Sequence, residues 1–279
     1  MPDWLALPSG LVVGISLGLT GGGGSIFAVP LLIYLLHVPV RTAVAMSLAA
    51  VGLTAGFGAA LQIRAREIDW RPGLIFAFAG MIFTPTGTWL GHFIPMTVLL
   101  SIFALIMGLV ALRMWQGRAE TSNETGPCVA LGNGALGFGC YTRLTAAGAT
   151  AGILSGLFGI GGGFIIVPSL IYVTGTSIHR AVATSLLVIF LISISGVIAN
   201  LYAGQFFPMP LTPLFLTGGF MGMLIGTTLR SHLDAKILRR IFAIAMLLVG
   251  AFMLYKNGVS GPEQNWISAG SDSKRLVLR

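Results

Sequence analysis

Apolar residues run through this chain in eight long stretches, at about 5–36, 42–63, 73–94 and 96–115, and again at about 144–173, 181–203, 213–232 and 237–256. The second to fourth stretch of each set has the roughly 17–25 residues that cross a bilayer core of about 30 Å. Lipid offers no partner to a bare N–H or C=O, so runs of this kind must close their own hydrogen bonds as helices. No segment shows the alternating ten-residue signature of a membrane barrel. The pattern predicts an all-α polytopic membrane protein. The first stretch of each set is longer than the others and is interrupted by glycines.

The two sets are copies. Gly18-Leu19-Thr20-Gly21-Gly22-Gly23-Gly24-Ser25-Ile26-Phe27-Ala28-Val29-Pro30 returns 138 positions later, without a gap, as Gly156-Leu157-Phe158-Gly159-Ile160-Gly161-Gly162-Gly163-Phe164-Ile165-Ile166-Val167-Pro168. The match continues into the next stretch, where Ala43-Val44-Ala45-Met46-Ser47-Leu48 corresponds to Ala181-Val182-Ala183-Thr184-Ser185-Leu186. The expected organisation is a first transmembrane repeat over 1–115, a polar linker over 116–143, a second repeat over 144–256 and a polar tail over 257–279. Paired hydrophobic segments broken by Gly or Pro at matching places in two halves point to the substrate site of a transporter.

Charge separates two topologies. If each glycine-broken run spans the membrane, Arg64, Arg66, Arg71, Arg113, Arg118, Arg143 and Lys256 face Arg41, Arg180, Arg230, Lys236, Arg239 and Arg240 across it, seven against six. If each run enters and returns, only Arg41 and Lys256 remain opposite the other eleven; the tail residues Lys274, Arg275 and Arg279 are left out of both counts. Lys and Arg bias sets orientation. The expectation is therefore inverted repeats, each a re-entrant helical hairpin plus three transmembrane helices, with a cytoplasmic linker and both termini outside. The competing arrangement is a spanning helix kinked at its glycines. Leu11–Leu19 and Ser25–Leu36, about nine and twelve residues, would reach about 14 and 18 Å at 1.5 Å per residue, so that hairpins from opposite faces meet near the midplane at their tips.

Those tips have a chemistry available. A glycine run lets backbone approach a ligand closely, and the half-helix that follows presents free N–H groups at its positive end. The expected substrate-binding set is Gly22, Gly23, Gly24 and Ser25 in the first repeat and Gly161, Gly162 and Gly163 in the second. Close helix packing is the competing explanation of these glycines. Ser47, Thr184 and Ser185 follow the broken elements and could add hydroxyls, or bond locally to backbone carbonyls. Gln62 and Asn200 are also 138 residues apart, and either line a vestibule or cap their helices. Pro30 and Pro168 each remove a backbone donor and are expected to kink the second half-helix.

Composition narrows the function. Hydrophobic residues make up 55%, charged residues 9%, and the mean hydropathy is +0.91, against about 25% charged residues in a soluble globule. The net charge of +8 comes from basic residues scattered singly through connecting segments, which does not suit nucleic acid. The first apolar segment lacks a basic n-region and a cleavage pattern, so it is read as retained. Cys128 and Cys140 lie in the linker at a spacing unlike a metal or redox pair and are expected to be unpaired thiols. All eight acidic residues fall in loops or tails and the four histidines near helix ends. No buried carboxylate relay, HExxH metal motif or nucleophile with a base is visible. No enzyme activity, metal or cofactor is expected.

With Gly-Leu-x-Gly-x-Gly-Gly-x-x-x-x-Val-Pro in both halves, followed by Ala-Val-Ala-(Met/Thr)-Ser-Leu, the chain resembles the sulfite exporter TauE/SafE family of membrane permeases over nearly its whole length. The resemblance implies transport, as an exporter, of sulfite, sulfonates or related small anions across a bacterial inner membrane. Met46 departs from the hydroxyl residue that the family commonly places there. The expected partners are the small anion, the lipid bilayer and a coupling proton or cation. A homodimer within the lipid stays open. A passive anion channel, a carrier of another organic anion, and a membrane assembly or sensor subunit without transport are the alternatives.

Overall fold

A computed structural model describes residues 3–22, 24–91, 93–115, 138–159, 162–204 and 211–230, with a few isolated positions beyond. Among the described residues the chain is helical throughout. After a 3-10 turn at Asp3–Leu5 come α1 (Ala6–Thr20), α2 (Gly24–Pro30), α3 (Val40–Arg64), α4 (Trp70–Gly91), α5 (Met96–Trp115), α6 (Phe138–Phe158), α7 (Gly163–Thr174), α8 (Ile178–Tyr202) and α9 (Leu211–Arg230). Four of these, α3, α4, α8 and α9, are long and apolar enough to cross a membrane. Residues 116–137 and 257–279, most of the apolar run 237–256, Gly23, Ile160 and Gly161 lie outside the described residues.

Each broken run doubles back. A Cβ placed on Gly24 would collide with the backbone of Val13 and Leu17, and one on Gly162 would press on the Ala151 carbonyl and Ser155. A straight helix would carry Gly24 about 16 Å beyond Val13 at 1.5 Å per residue, so the chain reverses at the glycines. The first arm is longer than expected: α1 has 15 residues and α6 has 21. α6 also begins at Phe138, inside the segment read as linker. The expected nine residues missed this because polar and small residues such as Ser9, Gly10, Thr142 and Arg143 ended the apolar count while remaining compatible with helix. The proline effect is visible in the first repeat, where Pro30 is followed by a π-turn over Leu31–Leu35. Pro168 sits within α7, which continues unbroken to Thr174.

Glycine contacts fix the packing. Gly10, Gly14 and Gly18 of α1 meet Phe215, Gly219 and Gly226 of α9 in order, and Gly148, Gly152 and Gly156 of α6 meet Phe76, Gly80 and Gly87 of α4 in order. Each set would overlap backbone if it carried a Cβ. Association in lipid depends on close van der Waals contact rather than on expelling water, which is why small residues line both seams. Contacts of Gly58 with Met223 and of Gly80 with Ile192 orient α3 with α9 and α4 with α8. At the centre α3 crosses α8 antiparallel, through Gly52 on Ser193, Gly56 on Phe190 and Gly196 on Leu48. Corresponding helices of the two halves therefore run in opposite directions: α1, α3 and α9 one way, and α6, α8 and α4 the other.

Two ion pairs mark one end of this bundle. Arg180 lies 3.4 Å from Asp69 and Arg230 2.7 Å from Glu67, so the α3–α4 loop, the start of α8 and the end of α9 share a face. Cys140 is disulfide-bonded, which corrects the expectation of a free thiol, since a spacing unlike CxxC does not exclude a bond; Cys128 lies outside the described residues. We expect Gly14→Leu and Gly152→Leu each to destabilise the fold by about 1–3 kcal/mol or more through overpacking. Gly108, around which nothing among the described residues lies within 4 Å, should accept alanine without loss of stability. Thermal unfolding in detergent, followed by size-exclusion chromatography, checks both.

Candidate functional site

The tips of the two hairpins are built alike. α1 ends at Gly21 and α6 at Gly159, both left-handed, with φ of 71° and 69°. Only glycine enters that region without a Cβ penalty. The Gly21 N–H donates to Leu17 O at 2.7 Å and the Gly159 N–H to Ser155 O at 2.9 Å. Their carbonyls then point away from their own helices into the apolar centre, where an unpaired C=O is costly.

Each carbonyl is satisfied by the opposite half. Ser185 Oγ donates to Gly21 O at 2.8 Å, and Ser47 Oγ donates to Gly159 O at 2.6 Å. Both hydroxyls also lie within reach of their own helix, Ser185 at 2.8 Å from Val182 O and Ser47 at 2.9 Å from Val44 O. Both serines are fully buried. The tips themselves touch: a Cβ on Gly22 would overlap the backbone of Gly163, and one on Gly163 the backbone of Gly22. The sequence motif thus brings the two hairpins into backbone contact inside the bundle, each latched by a serine of the other repeat.

The structure gathers Gly22, Gly24, Ser25, Ser47, Gly162, Gly163 and Ser185 at this junction; Gly23 and Gly161 lie outside the described residues. Ser25 Oγ turns inward and donates to Gly22 O at 2.6 Å. Three hydroxyls expected to face a ligand therefore have their protons directed at tip carbonyls. The remaining candidates lie elsewhere. Thr184 Oγ1 accepts from the Asp69 N–H at 3.0 Å, near the Asp69–Arg180 pair. Asn200 Nδ2 donates to Gly196 O at 2.8 Å within its own helix.

Gln62 belongs to a charged cluster instead. With its amide oriented by its neighbours, its nitrogen donates to Glu67 Oε2 at 3.2 Å and its oxygen accepts from Arg230 Nη2 at 3.1 Å. The Arg230 side chain is 5% exposed, and among the described residues its Nη1 has no hydrogen-bond partner. Ser155, fully buried beside Gly162, likewise has a hydroxyl without a partner among the described residues. Neither residue stands out in the motif, yet both break the repeat. Ser155 stands where the first half has Leu17, and Gly226-Thr227-Thr228-Leu229-Arg230 parallels Gly87-Thr88-Trp89-Leu90-Gly91. Differences between the copies were the available signal.

An open groove of about 740 Å³ lies away from the tips, between α4 and α8, lined by Met81, Pro85, Trp89, Ile194, Ile198 and Tyr202 among others. Its apolar walls do not suit an anion.

Comparison with known proteins agrees with the membrane reading. The profile of the family described as Sulfite exporter TauE/SafE matches residues 6–253. A "Probable membrane transporter protein" of Xylella fastidiosa strain 9a5c is 33% identical over 262 residues, covering 92% of this chain and 96% of that protein. The "Probable membrane transporter protein YdhB" of Bacillus subtilis strain 168 is 30% identical over 253 residues, covering 88% of this chain and 97% of its own. No solved structure matches the chain.

Removing either latch should have matched consequences. Ser47→Ala and Ser185→Ala each orphan one buried carbonyl and are expected to lower stability by about 1–3 kcal/mol. Thermal melts of the purified single variants should fall by similar amounts.

Proposed function

The chain belongs to the sulfite exporter TauE/SafE family, and we propose that it carries small sulfur-containing oxyanions, such as sulfite or organosulfonates, by alternating access around the crossed glycine tips. It is a multi-pass membrane protein of a transporter family and not an enzyme. The observation that carries the proposal is the latch of each tip to a serine of the other half. Rocking one half against the other cannot leave such a junction unchanged, so the motion that changes access also opens the tips. Parting them would release the two latching hydroxyls, Ser47 and Ser185, and expose the first amides of the return helices, an uncharged donor set of the kind that holds oxyanions. Alternating access by inverted repeats about broken helices works on this principle.

The opposed directions of corresponding helices and the shared end of Arg64, Arg66, Arg180 and Arg230 support inverted repeats with re-entrant hairpins, organised as a first repeat over 1–115, a linker and a second repeat over 144–256. The Lys and Arg bias supports a reading in which that end, with the linker, faces the cytoplasm across a bacterial inner membrane. Cys140 favours the reverse reading, because disulfides persist in oxidising compartments. Trypsin applied to intact spheroplasts decides between them. Cleavage at Arg118 only after the membrane is opened supports a cytoplasmic linker, and cleavage in intact spheroplasts reverses the orientation.

Radiolabelled sulfite uptake into proteoliposomes, with and without a pH gradient, tests the function. We expect saturable uptake in the wild type and its loss in Gly23→Trp and Gly162→Trp, with both variants still inserted in the membrane. Uptake unchanged by the substitutions overturns the tip site. Unitary currents in planar bilayers would replace the carrier with a passive channel.

A further inference from the structure

We propose that Arg230 is a capture site, at the mouth of the pathway, for an oxyanion that presents two adjacent oxygens, and that Glu67 occupies it as a tethered stand-in for the substrate. The proposal rests on the oxyanion reading above and extends it to a charged residue outside the glycine tips. Three observations carry it: an almost fully buried guanidinium, a pairing that uses only one side of its fork, and a position in the same layer as the first tip.

The guanidinium presents donors in a planar fork that matches a carboxylate or oxyanion with two parallel hydrogen bonds. Nη2 is engaged, at 2.7 Å from Glu67 Oε2, with Gln62 also on Nη2. Among the described residues the buried Nη1 has no hydrogen-bond partner. A buried charge with an unused donor is costly, and a ligand with two adjacent oxygens would satisfy both nitrogens where Glu67 satisfies one. The Glu67 side chain is 39% exposed. It can withdraw towards water at small cost, while Arg230 cannot.

Register along α9 gives the location. Gly226 packs on Gly18 and Ile15 of α1, and one turn further on, about 6 Å at 1.5 Å per residue, α9 reaches Arg230 while α1 reaches Gly21. One turn beyond the contact of Gly58 with Met223 and Leu186, α3 reaches Gln62. The charged cluster therefore occupies the layer of the first tip, on the side where the Glu67 loop meets water. The first repeat has Gly91 at the corresponding place, packed near Leu157, so the two ends of the pathway differ in charge. Anions would be concentrated at one mouth by a full positive charge and passed to uncharged amides beyond it.

The test is equilibrium binding of sulfite and, separately, methanesulfonate to the purified full-length protein in detergent, by titration calorimetry, for wild type, Arg230→Gln, Arg230→Lys and Glu67→Gln. Capture predicts changes of opposite sign. Arg230→Gln weakens sulfite binding at least tenfold, Arg230→Lys weakens it less, and Glu67→Gln, which removes the competing carboxylate, tightens it two- to tenfold. A purely structural ion pair predicts that both partners, when altered, weaken binding or leave it unchanged, and either of those results overturns the proposal. If Arg230→Gln does not fold, the direction of the Glu67→Gln change alone decides. Wild-type protein that binds neither anion overturns the oxyanion reading and this site with it, whereas wild-type binding that is insensitive to these substitutions removes only the capture site.

Discussion

Two helices stop in the middle of an apolar bundle, and the backbone groups freed there must find partners in a region without water. That constraint organises the molecule. Left-handed glycines turn the Gly21 and Gly159 carbonyls outward, and the serine two turns into the next long helix of the opposite half closes the bond. A half on its own would leave its tip carbonyl unsatisfied, at a cost comparable to a lost buried hydrogen bond. Each repeat thus completes the other, and the junction between them is where the proposed substrate site lies.

Around this junction the two halves hold together through seams of small residues. The glycine rows of α1 and α6 bring helix backbones close to α9 and α4. In lipid such proximity supplies the dispersion contact that the hydrophobic effect supplies in water. The two seams are built on matching positions, so they form rigid pairs of matched shape. The antiparallel crossing of α3 and α8 lies between them, with bulkier contacts such as Phe190 on Gly56. The serine latches that α3 and α8 carry lie beside this crossing.

Charge breaks the symmetry. The ion pairs Asp69–Arg180 and Glu67–Arg230 fasten the α3–α4 loop to the second repeat at one end, and the corresponding place at the other end holds Gly91. On the proposed function, a guanidinium at one mouth only makes the two approaches unequal in their attraction for an anion, while the net direction of transport follows the driving gradient.

The sequence by itself determined that the chain is helical, spans membranes several times, is duplicated, and breaks its first helix in each half at glycines, because these follow from local composition and from the requirement that backbone bonds close within each segment in lipid. It also placed Ser47 and Ser185 at equivalent positions. What those serines touch could not be read from it. Periodicity shows that a hydroxyl recurs but not that its partner is a carbonyl more than a hundred residues away, and the same blindness made Gln62 and Asn200 look equivalent when one joins an ion pair and the other bonds within its own helix. Only the tertiary structure decided that α1 and α6 run long, that the tips cross in backbone contact, and that Arg230, which reads as an ordinary basic residue at a helix end, is buried with half its fork unused. Helix ends and long-range pairs are fixed by which surfaces close on one another in three dimensions, and a single chain of letters does not record that closure.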